Sequence, residues 1–124
     1  MKYNPLTSPD PKVWLDLDEQ ERIDLIRDYH EQSGIELPNL TLHAVIHTIV
    51  ENQLAMNDLR VKETLDRLLT EGLDRHDALH AIGSILADQI FSATRDDKNK
   101  SRSLPESYYK GLRELTAKKW KKAR

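Results

Sequence analysis

The chain has 124 residues, of which 38% are hydrophobic and 32% are charged, and it contains no cysteine. This length predicts one domain with a core of limited size, and the lack of cysteine excludes disulfides, thiolate ligands and thiol nucleophiles. The apolar stretches are far shorter than the roughly 20 residues that span a bilayer, and the first residues lack the apolar core of a signal peptide. We therefore expect a cytoplasmic protein with no membrane contact.

Periodicity and helix caps predict α-helix along nearly the whole chain, and period-two alternation and Asn-Gly or Asp-Gly hairpin turns are missing. The predicted fold class is all-α, a small bundle of four or five helices. N-caps are expected at Asp18 (in a capping box with Glu21), Asn39, Asp74 and Ser103, and helix stops at Gly34 and Gly72. The predicted elements are a short helical turn opened by Asp10-Pro11, helices over about 18–33, 40–56, 59–71 and 75–93, a linker over 94–103 and a last helix that runs to residue 124.

Charge is distributed unevenly along this chain. Residues 1–97 carry 9 Lys/Arg and 19 Asp/Glu, a net charge of −10, whereas residues 98–124 carry 10 and 2, a net charge of +8. We interpret residues 1–97 as a helical metal-binding domain and residues 98–124 as a basic extension that contains the final helix. The charge segregation predicts that the extension either docks on the acidic domain or binds an anionic partner.

Four of the five histidines form two His-x-x-x-His pairs, His43/His47 and His76/His80, and Glu51 follows the first pair by one more helical turn. Residues four apart lie about 40° apart around a helix, so each pair directs two imidazoles to one side. Both stripes fall at the border between the apolar face and the surface of their helices. Two such helices together would offer four nitrogens and a carboxylate, which is the composition of a transition-metal site.

We predict that these residues hold one divalent metal, with Zn²⁺ as the first choice; the ligand types leave Fe²⁺, Ni²⁺ and Mn²⁺ open. Glu51 is expected to be a fifth ligand or the acceptor that orients an imidazole. Two interpretations without metal stay open, a hydrogen-bonded cluster of structural histidines and a set of unrelated surface histidines. The His-Glu-x-x-His motif is missing, because position 44 is Ala and position 77 is Asp. A structural and a hydrolytic role, and hence whether the protein is an enzyme, therefore both stay open.

The segments 42–53 and 72–83 resemble a small uncharacterised bacterial domain family. Its members similarly show a His-x-x-x-His-x-x-x-Glu-Gln-like helix followed by a His-(Glu/Asp)-Ala-x-His helix, and the resemblance covers roughly residues 37–92. It implies no established activity. Some such relatives carry a Glu one turn after the second pair, where this chain has Ser84, which argues against a second metal. The site positions that the resemblance implies are His43, His47, Glu51, His76 and His80.

A second, partial resemblance is to hemerythrin-like four-helix proteins. It rests on His30, on the His47/Glu51 spacing and on the His76/His80 pair. The final His-x-x-x-x-Asp segment of that family has no counterpart, because no histidine follows His80. An oxygen-binding di-iron centre is therefore not expected.

The competing interpretation is a metal-free helical interaction module whose basic C-terminal tail binds nucleic acid, such as RNA, or an acidic protein. Four lysines of the segment 118–122 and Arg124 surround Trp120, so they could neutralise phosphates while the indole stacks on a base. A solvated terminus, or a Trp120 that docks on the core, explains the same composition, and we favour that explanation. A helix-turn-helix reader of DNA is not expected, because the 75–93 helix presents mainly acidic residues.

Overall fold

The structure is a computed structural model that describes residues 2–34, 37, 39–95 and 104–123. No residue in these ranges forms a β-strand, which confirms the all-α class. None of the helices in them has both the length and the apolar character that a membrane span requires. The chain divides into two compact units, residues 1–58 and residues 59–124. The helices are α1 (Pro11–Asp16), α2 (Glu19–Gln32), α3 (Leu40–Ala55), α4 (Leu59–Thr70), α5 (Arg75–Arg95), α6 (Leu104–Glu114) and α7 (Ala117–Ala123).

The predicted number of four or five helices is too low, because the described residues contain seven. The expected turn at Pro11 is a short helix in its own right, and the last predicted helix is broken between Glu114 and Ala117. Thr116 causes the break: its Oγ1 accepts a hydrogen bond from the backbone N–H of Lys119 at 3.1 Å, so it serves as the N-cap of a new helix.

The predicted linker also begins too early, since residues 94 and 95 belong to α5. The rest of the linker, the expected cap Ser103 and the predicted boundary between residues 97 and 98 lie outside the described residues.

Caps define the helices of the first unit as the sequence predicts. Asp10 accepts hydrogen bonds from the backbone of Lys12 and Val13 at the start of α1. The capping box of Asp18 and Glu21 is present at α2. At α3 the predicted N-cap, residue 39, accepts from the third helical N–H. These bonds satisfy backbone donors that a helix start leaves without an intrahelical partner.

Trp14 is the centre of the core of the first unit. Its side chain is fully buried, and its indole N–H donates to Oδ1 of Asn52 at 2.9 Å. Arg22 donates to the same oxygen at 3.2 Å and to the carbonyl of Leu17 at 2.7 Å. Because Asn52 lies on α3 and Arg22 on α2, these bonds connect all three helices of the unit. Tyr3, from the segment before α1, completes this core with Ile26 and Ala44.

The buried face of α3 differs from the predicted one. Helical periodicity predicts a buried arc of Ile46, Ile49, Val50, Gln53 and Leu54. Of these residues only Val50 is buried. The helix instead buries the stripe that carries His47 and Glu51, together with Ala44 and Thr48. The histidine stripe of α3 therefore lies in the core at His47 and Glu51, and only His43 lies at the border of the core. Burial is tolerated because His47 and Glu51 both bond to the hydroxyl of Tyr3, and the hydroxyl of Thr48 donates to the carbonyl of Ala44.

In the second unit α5 packs against α4, α6 and α7. The core of this unit consists chiefly of aliphatic side chains, with Leu68, Leu79, Ile82 and Leu112 almost completely buried. The turn after α4 requires the predicted glycine, because Gly72 has φ +103° and a larger side chain is strained there.

Gly111 lies where α6 packs against Ile85 of α5. A Cβ at this position would lie 2.6 Å from Cγ2 of Ile85, so we expect Gly111→Ala to destabilise the fold through an overpacking term of about 1–3 kcal/mol. The higher helix propensity of alanine offsets up to about 1 kcal/mol of that. Urea unfolding of a double-mutant cycle with Ile85→Ala separates the two terms. The substitution should be neutral or stabilising in the Ile85→Ala background, and an equal effect in both backgrounds would contradict the predicted contact.

Candidate metal centre

Helices α2 and α3 bring three histidines together in the first unit. The Nε2 atoms of His30 and His43 lie 3.1 Å apart, and the ring centroids of His30 and His47 are 5.2 Å apart. His30 was not among the predicted ligands. A signal was available, because His30 follows Ile26 by four residues and so lies on the buried face of its helix.

The proton on the His30 ring can be assigned from its surroundings. The side chain is 3% exposed, and Nδ1 lies 2.8 Å from the backbone carbonyl of Ile26. A carbonyl only accepts, so Nδ1 donates the hydrogen and Nε2 carries the lone pair. Burial lowers the pKa of His30, and the hydrogen bond to Ile26 opposes that shift. The favoured form of His30 is therefore the neutral ring with a lone pair on Nε2.

The ring of His47 is held in the opposite tautomer, with the proton on Nε2. Its Nε2 lies 2.9 Å from the hydroxyl of Tyr3, and that hydroxyl donates its hydrogen to Oε2 of Glu51. With its one proton given to the carboxylate, the hydroxyl accepts from His47, so Nε2 is protonated and Nδ1 carries the lone pair. That Nδ1 is a buried atom. One nitrogen of His47 and one of His30 lie within 4.8 Å of each other.

His43 occupies a less buried position on the same face. Because Nε2 of His30 has a lone pair, the contact of 3.1 Å is explained if Nε2 of His43 is protonated and donates to it. Two nitrogens bound to one tetrahedral zinc ion would be separated by a similar distance, about 3.3 Å. The position of His43 is therefore compatible with two roles, a hydrogen-bond partner of His30 or a further ligand of a metal ion.

In the second unit, the sequence-predicted pair His76 and His80 lies on one side of α5. Their ring centroids are 4.1 Å apart with an interplanar angle of 55°, and one nitrogen of each lies within 4.8 Å of the other. Both rings are half-buried. The spacing of four residues thus produces adjacent imidazoles, as helical geometry requires.

Glu51 and Tyr3 complete the description of the predicted site. Glu51 is 2% exposed, and its Oε2 bonds to the Tyr3 hydroxyl. Sequence reasoning missed Tyr3 altogether, because it lies in a proline-rich lead-in without helical periodicity. The segment offers no signal that would associate this tyrosine with the histidine stripe of α3.

Comparison with known proteins gives a family and no activity. A model described as "Domain of unknown function (DUF1841)" matches residues 8–123. The chain belongs to this DUF1841 family. The prediction of an uncharacterised domain family is thereby confirmed, and the match includes all five histidines and Glu51 but not Tyr3. No curated protein and no solved structure matches the chain. The function of this DUF1841 protein is therefore inferred from the chemistry of its side chains.

Proposed function

We propose that this protein is cytoplasmic and that it binds one divalent transition-metal ion through four neutral imidazoles. The observation that carries the proposal is the proton assignment of the two buried histidines on α2 and α3. Zn²⁺ is the first choice, and Fe²⁺, Ni²⁺ and Mn²⁺ stay open. The proposed ligands are Nε2 of His30, Nδ1 of His47, and one ring nitrogen each of His76 and His80.

The proton assignment matters because a metal ligand must present a lone pair. Binding to a protonated nitrogen requires the release of that proton first. The Nδ1–H of His30 donates a hydrogen bond to the carbonyl of Ile26, and the Nε2–H of His47 donates one to the hydroxyl of Tyr3. Each ring therefore already has the form that a metal binds, which is the arrangement of outer-shell partners typical of metal-bound histidines.

The number and type of donors favour a structural role. Two nitrogens do not complete a zinc site, and the second histidine pair that the sequence predicts as ligands, His76 and His80, would bring the number of donors to four. Imidazole donors favour zinc and its transition-metal neighbours over Mg²⁺ or Ca²⁺, which prefer oxygen. Four protein ligands close the coordination sphere, and a catalytic zinc keeps a position for water. The carboxylate of Glu51 already accepts the tyrosine proton, which also favours an orienting role over that of a base.

Elemental analysis by inductively coupled plasma mass spectrometry tests this proposal. Untagged protein exposed to Zn²⁺ and dialysed should retain about one metal ion per chain. His43→Ala is the matched control, because it removes an imidazole next to His30 that is not a proposed ligand, and it should retain the ion. Single alanine variants that should lose the ion are His30→Ala, His47→Ala, His76→Ala and His80→Ala.

Two results would contradict the proposal. One is a parent protein that takes up none of Zn²⁺, Mn²⁺, Ni²⁺ and Fe²⁺, which would leave a structural histidine cluster as the explanation. The other is full retention by the variants at His76 and His80, which would limit the ligands to α2 and α3.

A second candidate function is the binding of RNA or an acidic protein by the basic tail. The observation that favours it is the exposure of all four lysines of α7. Trp120 argues against base stacking, since it is half-buried and lines a cavity with Ile85 and Gly111 of the same unit. Reversal of the four charges should abolish binding to RNA if this function is correct, and it should leave the metal content unchanged. The substitutions are Lys118→Glu, Lys119→Glu, Lys121→Glu and Lys122→Glu.

A further inference from the structure

We propose that Tyr3 is a positioning residue for the metal site: its hydroxyl, held by the carboxylate of Glu51, fixes His47 in the tautomer that offers Nδ1 to the ion. This inference rests on the proposed function and adds to it a specific ligand atom and the group that selects it. It also assigns a role to a segment that precedes the first helix.

The hydrogen bonds between these three side chains have one consistent direction. A carboxylate accepts only, and a tyrosine hydroxyl has one proton to donate. The proton of Tyr3 goes to Glu51, so the hydroxyl oxygen accepts from Nε2 of His47. His47 and Glu51 are four residues apart on α3 and therefore share a face of that helix. One hydroxyl above this face can contact both.

Aromatic packing holds the Tyr3 ring in place. The ring is 6% exposed and lies 5.8 Å from Trp14 and 6.2 Å from Tyr29, measured between centroids. Trp14 is itself fixed by the bond from its indole to Asn52. Because the ring is packed between neighbours, the hydroxyl has little freedom to leave the imidazole. A fixed outer-shell group orients a ligand better than a mobile one.

Burial strengthens the effect of Tyr3 and Glu51 on His47. Glu51 is 2% exposed, and the cavity beside it has a volume of about 20 Å³, enough for a single water molecule. Hydrogen bonds that bulk water does not reach are electrostatically stronger than exposed ones. A carboxylate that acts through the tyrosine should therefore make Nδ1 of His47 a better electron-pair donor to the metal. Carboxylates have this effect when they bond directly to a metal-bound histidine.

Comparison with His30 shows that the two buried rings offer different nitrogens to the ion. The backbone carbonyl of Ile26 accepts from Nδ1 of His30 and leaves Nε2 for the ion, whereas the hydroxyl of Tyr3 accepts from Nε2 of His47 and leaves Nδ1. The two buried rings should consequently bind through different nitrogens.

The experiment is ¹⁵N nuclear magnetic resonance of the histidine rings in the full chain, with and without Zn²⁺. In the wild type we expect His47 protonated at Nε2, with its Nδ1 resonance shifted by added zinc. Tyr3→Phe deletes the hydroxyl alone, so His47 should exchange between tautomers and zinc affinity should fall by about 10- to 100-fold. Tyr29→Phe is the matched control in the same aromatic cluster, and it should behave as the wild type does.

The possible results separate this inference from the proposed function. His47 protonated at Nδ1 in the wild type would overturn the inference, and that measurement does not depend on whether a variant folds. So would a folded Tyr3→Phe protein with the wild-type tautomer and zinc affinity, although the proposed metal binding would survive. A wild type that shifts no histidine resonance on addition of zinc would overturn the proposed function and, with it, the metal-directing role of Tyr3.

Discussion

Removal of zinc by a chelator is expected to lower the free energy of unfolding by about 4 kcal/mol, relative to protein with free zinc at about 1,000 times its Kd. A ligand that binds only the folded state stabilises it by mass action, and isolated histidines of an unfolded chain do not reproduce a four-imidazole site. In a domain of this size the melting temperature should fall by about 15 °C. Urea unfolding in zinc and in chelator measures the difference.

Histidine variants provide the controls for the chelator experiment. In His47→Ala the difference between zinc and chelator should nearly disappear, because a proposed ligand is missing. In His43→Ala it should persist, since that imidazole is not a proposed ligand. An unfolding midpoint of the wild type that is the same in zinc and in chelator would contradict a structural metal.

The substitution Trp14→Ala is expected to cost about 3–5 kcal/mol, the range for truncation of a large buried aromatic side chain. The indole is fully buried and connects α1 to Asn52 of α3. A loss of this size is a large part of the roughly 5–15 kcal/mol that stabilises most domains. Because Trp14 also packs against Tyr3, zinc affinity should decrease together with stability. Chemical denaturation and a zinc titration of the variant measure the two effects.

Trp14→Phe is the matched variant for this prediction. It keeps an aromatic ring against Tyr3 but removes the N–H that donates to Asn52. We expect a smaller loss, from the missing hydrogen bond of about 1 kcal/mol and from the smaller ring. Equal losses in Trp14→Ala and Trp14→Phe would show that the hydrogen bond, and not packing, accounts for the effect.

Local chemistry explains why most helix boundaries could be predicted from the sequence. The capping box of Asp18 and Glu21 and the stop at Gly72 depend on residues within a few positions of each other, and each is present in the structure. The break between α6 and α7 was missed because the apolar spacing continues through it. It depends on Thr116 and on Glu71, a residue distant in sequence whose carboxylate accepts from the N–H of Ala117 at 2.8 Å.

The candidate site was only partly predictable, for a different reason. Helical spacing places His43, His47 and Glu51 on one face of α3 but cannot say which other segments cover that face. The partners are Tyr3, which is 44 residues from His47, and His30 of the preceding helix. Since burial of a polar stripe depends on such distant partners, periodicity alone assigned it to the border of the core.

X-ray absorption spectroscopy of the zinc-loaded protein counts the atoms around the ion and therefore tests the proposed four-imidazole site. We expect about four nitrogen neighbours at about 2.0 Å, with the outer scattering that imidazole rings produce. A first shell made mostly of oxygen, with fewer than three imidazoles, would contradict it.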